Sequence, residues 1–193
     1  MIQKSLVLIK PDGVKRGIVG EVLARFERAS LKIVAAKMIH VHPELAKNHY
    51  PDSVAWKKKV GQRTLDDCTT YGIDVVKNMG TDDPVKLGEI VKSWNMDFLM
   101  SGPVMAFVFE GVNAVERIRT LVGDTNPVKA APGTIRGDYS IDSPIAANRR
   151  VRTIYNLIHA SGTPEEAEAE IDMWFKKDEI LAYRRVHEDL YKY

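Results

Sequence analysis

The sequence predicts an α+β fold of the ferredoxin-like type, with βαββαβ order and a four-stranded antiparallel sheet. Three observations predict it. Short apolar runs rich in β-branched residues alternate with segments whose apolar residues recur at helical spacing. Their order along the chain is strand, helix, strand, a stretch of helices, then strand, helix and strand, with no internal repeat. The length of 193 residues, 45% of them hydrophobic, is enough for one domain with a sizeable core.

The first half of the sheet is predicted from the N-terminal fifty residues. Residues 3–9 form a short apolar run typical of a buried strand, and a turn is expected at residues 10–13. Residues 18–26 place their apolar side chains on one helical face. A second strand is expected at residues 31–41, and the proline at 43 favours a helix through Tyr50.

The middle of the chain is less regular. Residues 51–100 combine charged runs, glycines and helical patches, which predict an insertion of helices and loops and not a separate domain. Residues 103–109 predict a third strand, and the apolar spacing from Val112 to Val122 predicts a helix after it.

The last third begins with a long segment at residues 123–138 that has no apolar periodicity. It is rich in Gly, Pro, Asn and Thr, and so long a loop in a compact domain is usually functional. Residues 152–158 predict the fourth strand. A capping box at residues 163–166 opens a helix through Phe175, and we expect the charged, aromatic tail at 176–193 to pack against the body or a partner subunit.

Composition excludes several classes of protein. The net charge of +2 gives no support for nucleic-acid binding, and Cys68 is the only cysteine, which excludes internal disulfides and multi-cysteine metal sites. No apolar run reaches the roughly 20 residues that span a bilayer, and the N-terminus does not resemble a signal peptide. We therefore expect a cytoplasmic protein without membrane contact.

Candidate phosphate ligands lie around the loop at 123–138. Arg119 and Arg136 offer two planar guanidiniums, and Thr125 adds a hydroxyl, a combination that suits a polyphosphate. The alternative is that both arginines pair with nearby carboxylates and hold the loop together.

A candidate nucleophile follows the fourth predicted strand. His159 comes at the end of an apolar run, and Glu170 lies at the edge of the apolar stripe on the next helix. From there its carboxylate can reach one imidazole nitrogen, directly or through Ser161, which leaves the other nitrogen as the nucleophile. Lys10, at the end of the first strand, offers a further charge for phosphate. A lone histidine in such a position is more often structural.

Five blocks in this order resemble the nucleoside diphosphate kinase family. The resemblance covers residues 2–50, 101–139 and 154–175. The blocks are Lys10-Pro11-Asp12-Gly13-Val14-Lys15-Arg16-Gly17, Ser101-Gly102-Pro103-Val104, Thr125-Asn126-Pro127, the Pro-Gly-Thr-Ile-Arg-Gly-Asp run at 132–138, and Asn156-x-x-His159-x-Ser161.

The resemblance implies one kinase-like domain over residues 1–193. In it, His159 takes the γ-phosphate of one nucleoside triphosphate, such as ATP or GTP, and gives it to a nucleoside diphosphate by a ping-pong mechanism. It also implies Mg²⁺ held mainly by the nucleotide phosphates, broad tolerance of the base, and a homo-oligomer. The implied catalytic residues are His159, Glu170, Ser161 and Lys10, and the implied nucleotide-binding residues are Lys10, Tyr50, Arg119, Thr125, Arg136 and Asn156.

The chain departs from the family pattern in three ways. Ala160 and Gly162 stand where the family has glycine and aspartate around the serine of the histidine motif. Residues 143–153 are extra, and the segment at 51–100 is longer than the family's. That longer segment obscures the aromatic residue that stacks on the base in the family, for which Trp56, Trp94 and Phe98 are candidates.

Two other functions stay open at this point. A non-catalytic nucleotide-binding protein on the same scaffold is one, although such proteins usually lose a residue of the catalytic set. The other is a single-stranded nucleic-acid binder using strand aromatics, of which the candidates are Phe107, Phe109 and Tyr155. The histidines at 40, 42 and 49 are interpreted as strand-end and helix-surface residues, not metal ligands.

Overall fold

The sheet has four antiparallel strands in the order β2-β3-β1-β4. The computed structural model describes residues 1–186. The strands are β1 (Ile2–Ile9), β2 (Lys32–His40), β3 (Pro103–Val112) and β4 (Ile158–Ala160). With helices between them, this order confirms the predicted ferredoxin-like α+β fold.

Ten α-helices connect and cover the strands within the described residues. They are α1 (Pro11–Lys15), α2 (Val19–Arg28), α3 (Pro43–His49), α4 (Val54–Thr70), α5 (Val75–Met79), α6 (Pro84–Met100), α7 (Ala114–Val122), α8 (Ile135–Tyr139), α9 (Pro144–Arg149) and α10 (Pro164–Trp174). Short 3₁₀ helices lie at Pro127–Lys129 and Lys177–Glu179. No helix of this described part is both long and apolar enough to span a bilayer.

The strand β1 is apolar throughout its second half because both faces of the sheet are covered. Val7 and Ile9 pack into one hydrophobic cluster with residues of α2 and α7. Leu6 and Leu8 point to the opposite face, where they pack with residues of α3, α6 and α10. A strand buried on both faces shows a continuous apolar run instead of alternation, which is what the sequence shows.

The fourth strand is shorter and later than predicted. Residues 152–157, expected to be strand, are irregular, and pairing with β1 is confined to Ile158–Ala160. Leu157 adopts a left-handed conformation with φ of 67°, and its N–H donates to Asp12 Oδ2 at 3.0 Å. Its carbonyl accepts from the N–H of Lys10 at 2.8 Å. These contacts turn the chain before β4, so the β-branched residues upstream cannot extend the ladder.

Two segments predicted without helices contain short ones. The expected turn at residues 10–13 is largely the start of α1, whose first residue is Pro11. The segment 123–138 has the predicted irregular course but also holds a 3₁₀ turn and the start of α8. Both helices are too short to leave an apolar period in the sequence.

The helices α4 and α6 form an antiparallel hairpin. Gly61 faces the backbone of Pro84, and Gly88 faces the backbone of Lys57, each so closely that a Cβ atom there would overlap the opposite chain. Their glycines therefore let the two helix backbones touch. The helix α9 of residues 143–153 packs on α4, so the two segments that depart from the family pattern lie against each other.

The described part of the tail follows the exposed edge of β2. The N–H of Leu181 donates to the carbonyl of Val34 at 2.8 Å, and the Tyr183 hydroxyl donates to the carbonyl of Ile33 at 2.7 Å. This covers backbone groups that an edge strand would otherwise leave unpaired. The tail therefore packs against the body as far as Tyr183, as predicted. Residues 187–193, for which the same packing is predicted, lie outside the described residues.

Candidate active site

His159 lies in the middle of β4, opposite Leu8 of β1, and its side chain is 25% exposed. Its Nε2 atom lies 2.9 Å from Oε1 of Glu170 in α10. The helix α10 begins after its N-cap Thr163, whose hydroxyl accepts from the N–H of Glu166 at 3.2 Å. The sheet thus holds the imidazole and the helix holds the carboxylate.

Both oxygens of the Glu170 carboxylate are engaged. The Ser161 hydroxyl donates to Oε2 at 2.6 Å and itself accepts from the N–H of Leu6 at 3.2 Å. Burial raises the pKa of Glu170, but the contacts with His159 and Ser161 outweigh that effect and the pKa is lowered. The carboxylate is therefore ionised at neutral pH.

The contact between the carboxylate and the imidazole is close but not aligned as a hydrogen bond, since Nε2 of His159 has no partner of suitable angle. Such bonds in ligand-free enzymes often tighten only when substrate is bound. The carboxylate on the Nε2 side leaves Nδ1 of His159 as the nitrogen that can act as nucleophile.

His49 contacts the imidazole of His159 from the side, contrary to the expectation of a surface histidine. The two rings meet edge to face with their centroids 4.5 Å apart, and His49 is only 6% exposed. Its Nδ1 accepts from the indole N–H of Trp174 at 3.3 Å. Burial, followed by the charges of His159 and Lys10, holds the pKa of His49 well below its usual value. It is therefore a neutral ring packed against the candidate nucleophile.

One group of metal-ligand side chains was found in residues 1–186, and it belongs to this site. Donor atoms of His49, His159 and Glu170 lie within 4.8 Å of one another. Two of the three donors are imidazoles, whereas Mg²⁺ prefers an all-oxygen shell and keeps several waters. The group is thus poorly matched to Mg²⁺, and nucleotide phosphates suit that ion better.

A second set of polar contacts joins Lys10, Asn156 and Thr125. The Lys10 ammonium donates to Oδ1 of Asn156 at 2.8 Å, and the Asn156 amide donates to the carbonyl of Thr125 at 2.9 Å. Lys10 leaves the end of β1 and Asn156 precedes β4, so two neighbouring strands bring these side chains together. The result is one ammonium held beside the loop that carries Thr125.

Burial dominates the electrostatics at Lys10. Burial and the charge of Arg136 lower the pKa of Lys10 to about 8, although Asp12 acts in the opposite direction. Burial likewise raises the pKa of Asp12. Lys10 remains charged at neutral pH, with few groups nearby to compensate it, so an incoming anion would be bound strongly.

Arg136 holds the loop together, as the second interpretation of the sequence expects, but its partners are not carboxylates. Its guanidinium donates to the carbonyls of Asn156 at 3.1 Å, Gly123 at 2.9 Å and Ile158 at 2.6 Å. It therefore straps the loop to the start of β4 through backbone carbonyls, and not through carboxylates. Burial and the charge of Arg119 lower the pKa of Arg136 to about 10, so it stays a cation.

Arg119 and Thr125 line an open cleft of about 350 Å³, which we call the phosphate-loop cleft. Other residues of its wall include Arg63, Asp67, Asp124 and Lys129. Tyr50 is not among the residues that line this cleft. Its ring packs on His49, the neighbour of His159, with centroids 5.0 Å apart. Burial raises the pKa of Tyr50, so its hydroxyl keeps its proton and can donate a hydrogen bond.

Two of the three candidate aromatics are unavailable for stacking on bases, whereas Tyr155 is 40% exposed and lies outside the strands. Phe107 is 2% exposed and Phe109 is fully buried, which removes the sheet surface that a nucleic-acid binder would need. Phe98 stacks on Tyr155 with centroids 4.5 Å apart. Neither Phe98 nor Trp56 nor Trp94 is among the residues that line the phosphate-loop cleft.

The two departures in the histidine motif are accommodated locally. Ala160 pairs with Val7 in β4 and has no positive φ, so a glycine is not required there. The N–H of Gly162 donates to Oε2 of Glu166 at 2.9 Å, which places a carboxylate at the helix entrance although the family's aspartate is missing.

Sequence reasoning missed two residues of the site. His49 was interpreted as a surface residue because its burial depends on Trp174, which is 125 positions away. Asp12 belongs to a motif but is not among the predicted site residues, although it anchors Leu157 and lies beside Lys10. Its place in the Lys10-Pro11-Asp12-Gly13 block was the one signal that could have identified it.

Comparison with known proteins gives consistent matches. A model of the nucleoside diphosphate kinase family matches residues 3–68 and 92–180. A nucleoside diphosphate kinase of Pyrobaculum aerophilum is 49% identical over 180 residues, which covers 93% of this chain and 98% of the relative. One of Borreliella burgdorferi is 42% identical over 185 residues, covering 96% and 94%.

Solved structures agree in the fold. A crystal structure of an NDP kinase from Pyrobaculum aerophilum has a TM-score of 0.92 at 47% identity, covering 94% of this chain and 100% of that chain. A nucleoside-diphosphate kinase from Borrelia burgdorferi, a transition-state mimic with bound vanadate and ADP, has a TM-score of 0.75 at 42% identity, covering 97% and 95%. Each of these alignments covers at least 93% of this chain, so the relatives have counterparts to most of its segments at 51–100 and 143–153.

Proposed function

The chain belongs to the nucleoside diphosphate kinase family, and we propose that it passes the γ-phosphate of a nucleoside triphosphate to a nucleoside diphosphate through a phosphohistidine on His159. One observation carries this proposal: the His159–Glu170–Ser161 contacts and the Lys10–Asn156–Thr125 contacts lie at adjoining ends of β4 and β1. A positioned nucleophile and a set of cations are the two requirements of phosphoryl transfer.

The first half-reaction uses the free nitrogen of His159. Its Nδ1 lone pair forms a bond to the γ-phosphorus while the bond from that phosphorus to the β–γ bridging oxygen breaks. The nucleoside diphosphate leaves with the electron pair. Glu170 stabilises the positive charge that develops on the ring, because its ionised carboxylate faces Nε2. The second half-reaction is the reverse, with another diphosphate as acceptor.

The remaining groups bind and neutralise the phosphates. Lys10 offers a largely buried ammonium, and Arg119 and Thr125 line the phosphate-loop cleft. Arg136 still has two N–H hydrogens free after its three backbone bonds. Tyr50 and Asn156 complete the set, the first as a hydroxyl donor and the second as a contact to sugar and phosphate.

Mg²⁺ completes the proposal as part of the nucleotide complex. The ion, bound by phosphate oxygens, would neutralise charge that develops on the transferred group. Asp67 and Asp124 line the same cleft, and their carboxylates would hold its water shell. We also propose a cytoplasmic homo-oligomer with broad tolerance of the base, as the family resemblance implies.

Steady-state kinetics test the covalent route. Initial rates are measured with ATP as donor and a deoxynucleoside diphosphate as acceptor, each varied at several fixed concentrations of the other. A phosphoenzyme predicts parallel lines in double-reciprocal plots. Lines that intersect would indicate a ternary complex with direct transfer and would refute the role given to His159.

A further inference from the structure

The helix α4 forms one wall of the phosphate-loop cleft. Arg63 and Asp67, one turn apart on α4, face the same space as Arg119 and Thr125. Both pairs lie in parts of the chain that match the family model, residues 3–68 and 92–180, and the second pair belongs to the proposed phosphate site. The helix α4 thus reaches the substrate-binding side of the molecule.

The position of Arg63 is fixed by the packing of α4. Two residues earlier, Gly61 lies against the backbone of Pro84, so α4 cannot slide or rotate on α6 without a steric clash. On its other side α4 contacts α9. Asn78, after α4, donates to the carbonyl of Asn148 in α9 at 2.6 Å. These contacts fix the backbone of Arg63 beside the cleft, while its exposed side chain stays free to turn toward a ligand.

The cations of this cleft are not used by the protein itself. Within residues 1–186, Arg63, Arg119 and Lys129 form no hydrogen bond and no close ion pair. Asp67 is the nearest candidate partner of Arg63. Burial raises the pKa of Asp67, and the charges of Lys129 and Arg63 act against that effect. Three cations and two carboxylates leave a net positive cleft.

We propose that Arg63 is a further phosphate-binding residue, presented by α4 to the phosphate chain of the bound nucleoside di- or triphosphate. This inference rests on the proposed function, because Arg119 and Thr125 mark the cleft as the phosphate site. A planar guanidinium without a partner matches phosphate oxygens in two parallel hydrogen bonds. The helix α4 would then be part of the substrate-binding pocket.

The test compares Arg63→Gln with Lys58→Gln, which removes the same charge from an exposed position on the same helix. Dissociation constants are measured in the full chain for ADP by calorimetry and for adenosine by NMR titration. We expect Arg63→Gln to weaken ADP binding about tenfold while adenosine binding stays within about twofold. Lys58→Gln should change neither.

Three results would overturn the proposal: unchanged ADP affinity in Arg63→Gln, equal weakening in Lys58→Gln, or equal weakening for adenosine. The second would indicate a general effect of charge, and the third a contact to the base or sugar. Because affinity is measured without turnover, the readings stay independent of catalysis. Wild-type protein that binds ADP and transfers no phosphate would refute the proposed reaction and leave the Arg63 contact standing.

Discussion

Glu170 faces His159 across the gap between α10 and β4, with Oε1 lying 2.9 Å from Nε2. The carboxylate is itself held by the Ser161 hydroxyl at 2.6 Å. In the proposed mechanism this arrangement leaves Nδ1 free and stabilises the ring when it becomes positive. The proposal therefore gives Glu170 a role in the transfer step and none in nucleotide binding.

Replacing the carboxylate by an amide tests that role. Glu170→Gln keeps the shape of the side chain but removes its charge, so we expect kcat to fall about 10- to 100-fold with little change in nucleotide affinity. Initial rates and ADP calorimetry measure both quantities. Glu168→Gln, on an exposed position of the same helix, is the control. Weaker ADP binding with kcat preserved would contradict the positioning role.

Lys10 is expected to lower the free energy of unfolding although activity requires it. Its pKa is lowered to about 8 by burial, so at pH 7 the folded protein holds an unfavourable buried charge. Lys10→Met should therefore raise the free energy of unfolding at pH 7 by about 1 kcal/mol and abolish most of the activity. The cost of the charge disappears as pH rises from 8 toward the unfolded value of 10.5.

Urea unfolding at pH 7 and pH 10 tests whether Lys10→Met raises the free energy of unfolding. The advantage of Lys10→Met over wild type should shrink at the higher pH, and Lys47→Met, at an exposed position of α3, should show no such pattern. A variant less stable than wild type at pH 7 would show that Lys10 is a net stabilising residue.

The buried His49 is expected to lower the stability of the folded protein in acid. Its pKa is held well below 6.5 in the folded protein by burial, whereas the unfolded chain takes up a proton near that value. Stability is therefore complete above pH 6.5 and is lost as pH falls below it. At pH 5 the loss is at most about 2 kcal/mol.

Urea unfolding of His49→Phe isolates this contribution. The difference in unfolding free energy between pH 7 and pH 5 should be smaller in His49→Phe than in wild type. His40→Gln, an exposed position at the end of β2, is the matched control and should behave as wild type. An identical pH dependence in His49→Phe and wild type would mean that His49 is protonated in the folded state.

The glycine contact in the hairpin predicts a stability effect that depends on position. Gly88→Ala places a methyl group against the backbone of Lys57, so we expect a loss of about 2 kcal/mol of unfolding free energy. Gly20→Ala, in α2 with nothing near the added atom, should be neutral or stabilising by up to about 1 kcal/mol. Chemical denaturation of both variants measures the contrast, and equal effects would disprove close backbone packing of α4 on α6.

Local patterns made much of the fold predictable. The continuous apolar run of β1 follows from burial on both faces. The cap of α10 follows from Thr163, whose hydroxyl does accept from the N–H of Glu166. Motif blocks identified the family, which the comparisons confirm.

Contacts between distant residues account for what the sequence did not predict. The start of β4 depends on Leu157 being held in a left-handed conformation by Asp12, 145 positions earlier. The burial of His49 depends on Trp174, and the close packing of α4 on α6 depends on Gly61 and Gly88, which each face the backbone of the opposite helix. No local period in the sequence encodes these relationships.

The most direct measurement is the chemical nature of the labelled enzyme. The protein is incubated with ATP labelled at the γ-phosphate and Mg²⁺, quenched, and tested for label that is stable in base and lost in acid. We expect about one label per chain, located on His159, discharged by GDP with formation of GTP, and absent from His159→Ala. Wild type that takes up no label, or His159→Ala that still transfers phosphate, would contradict the phosphohistidine mechanism.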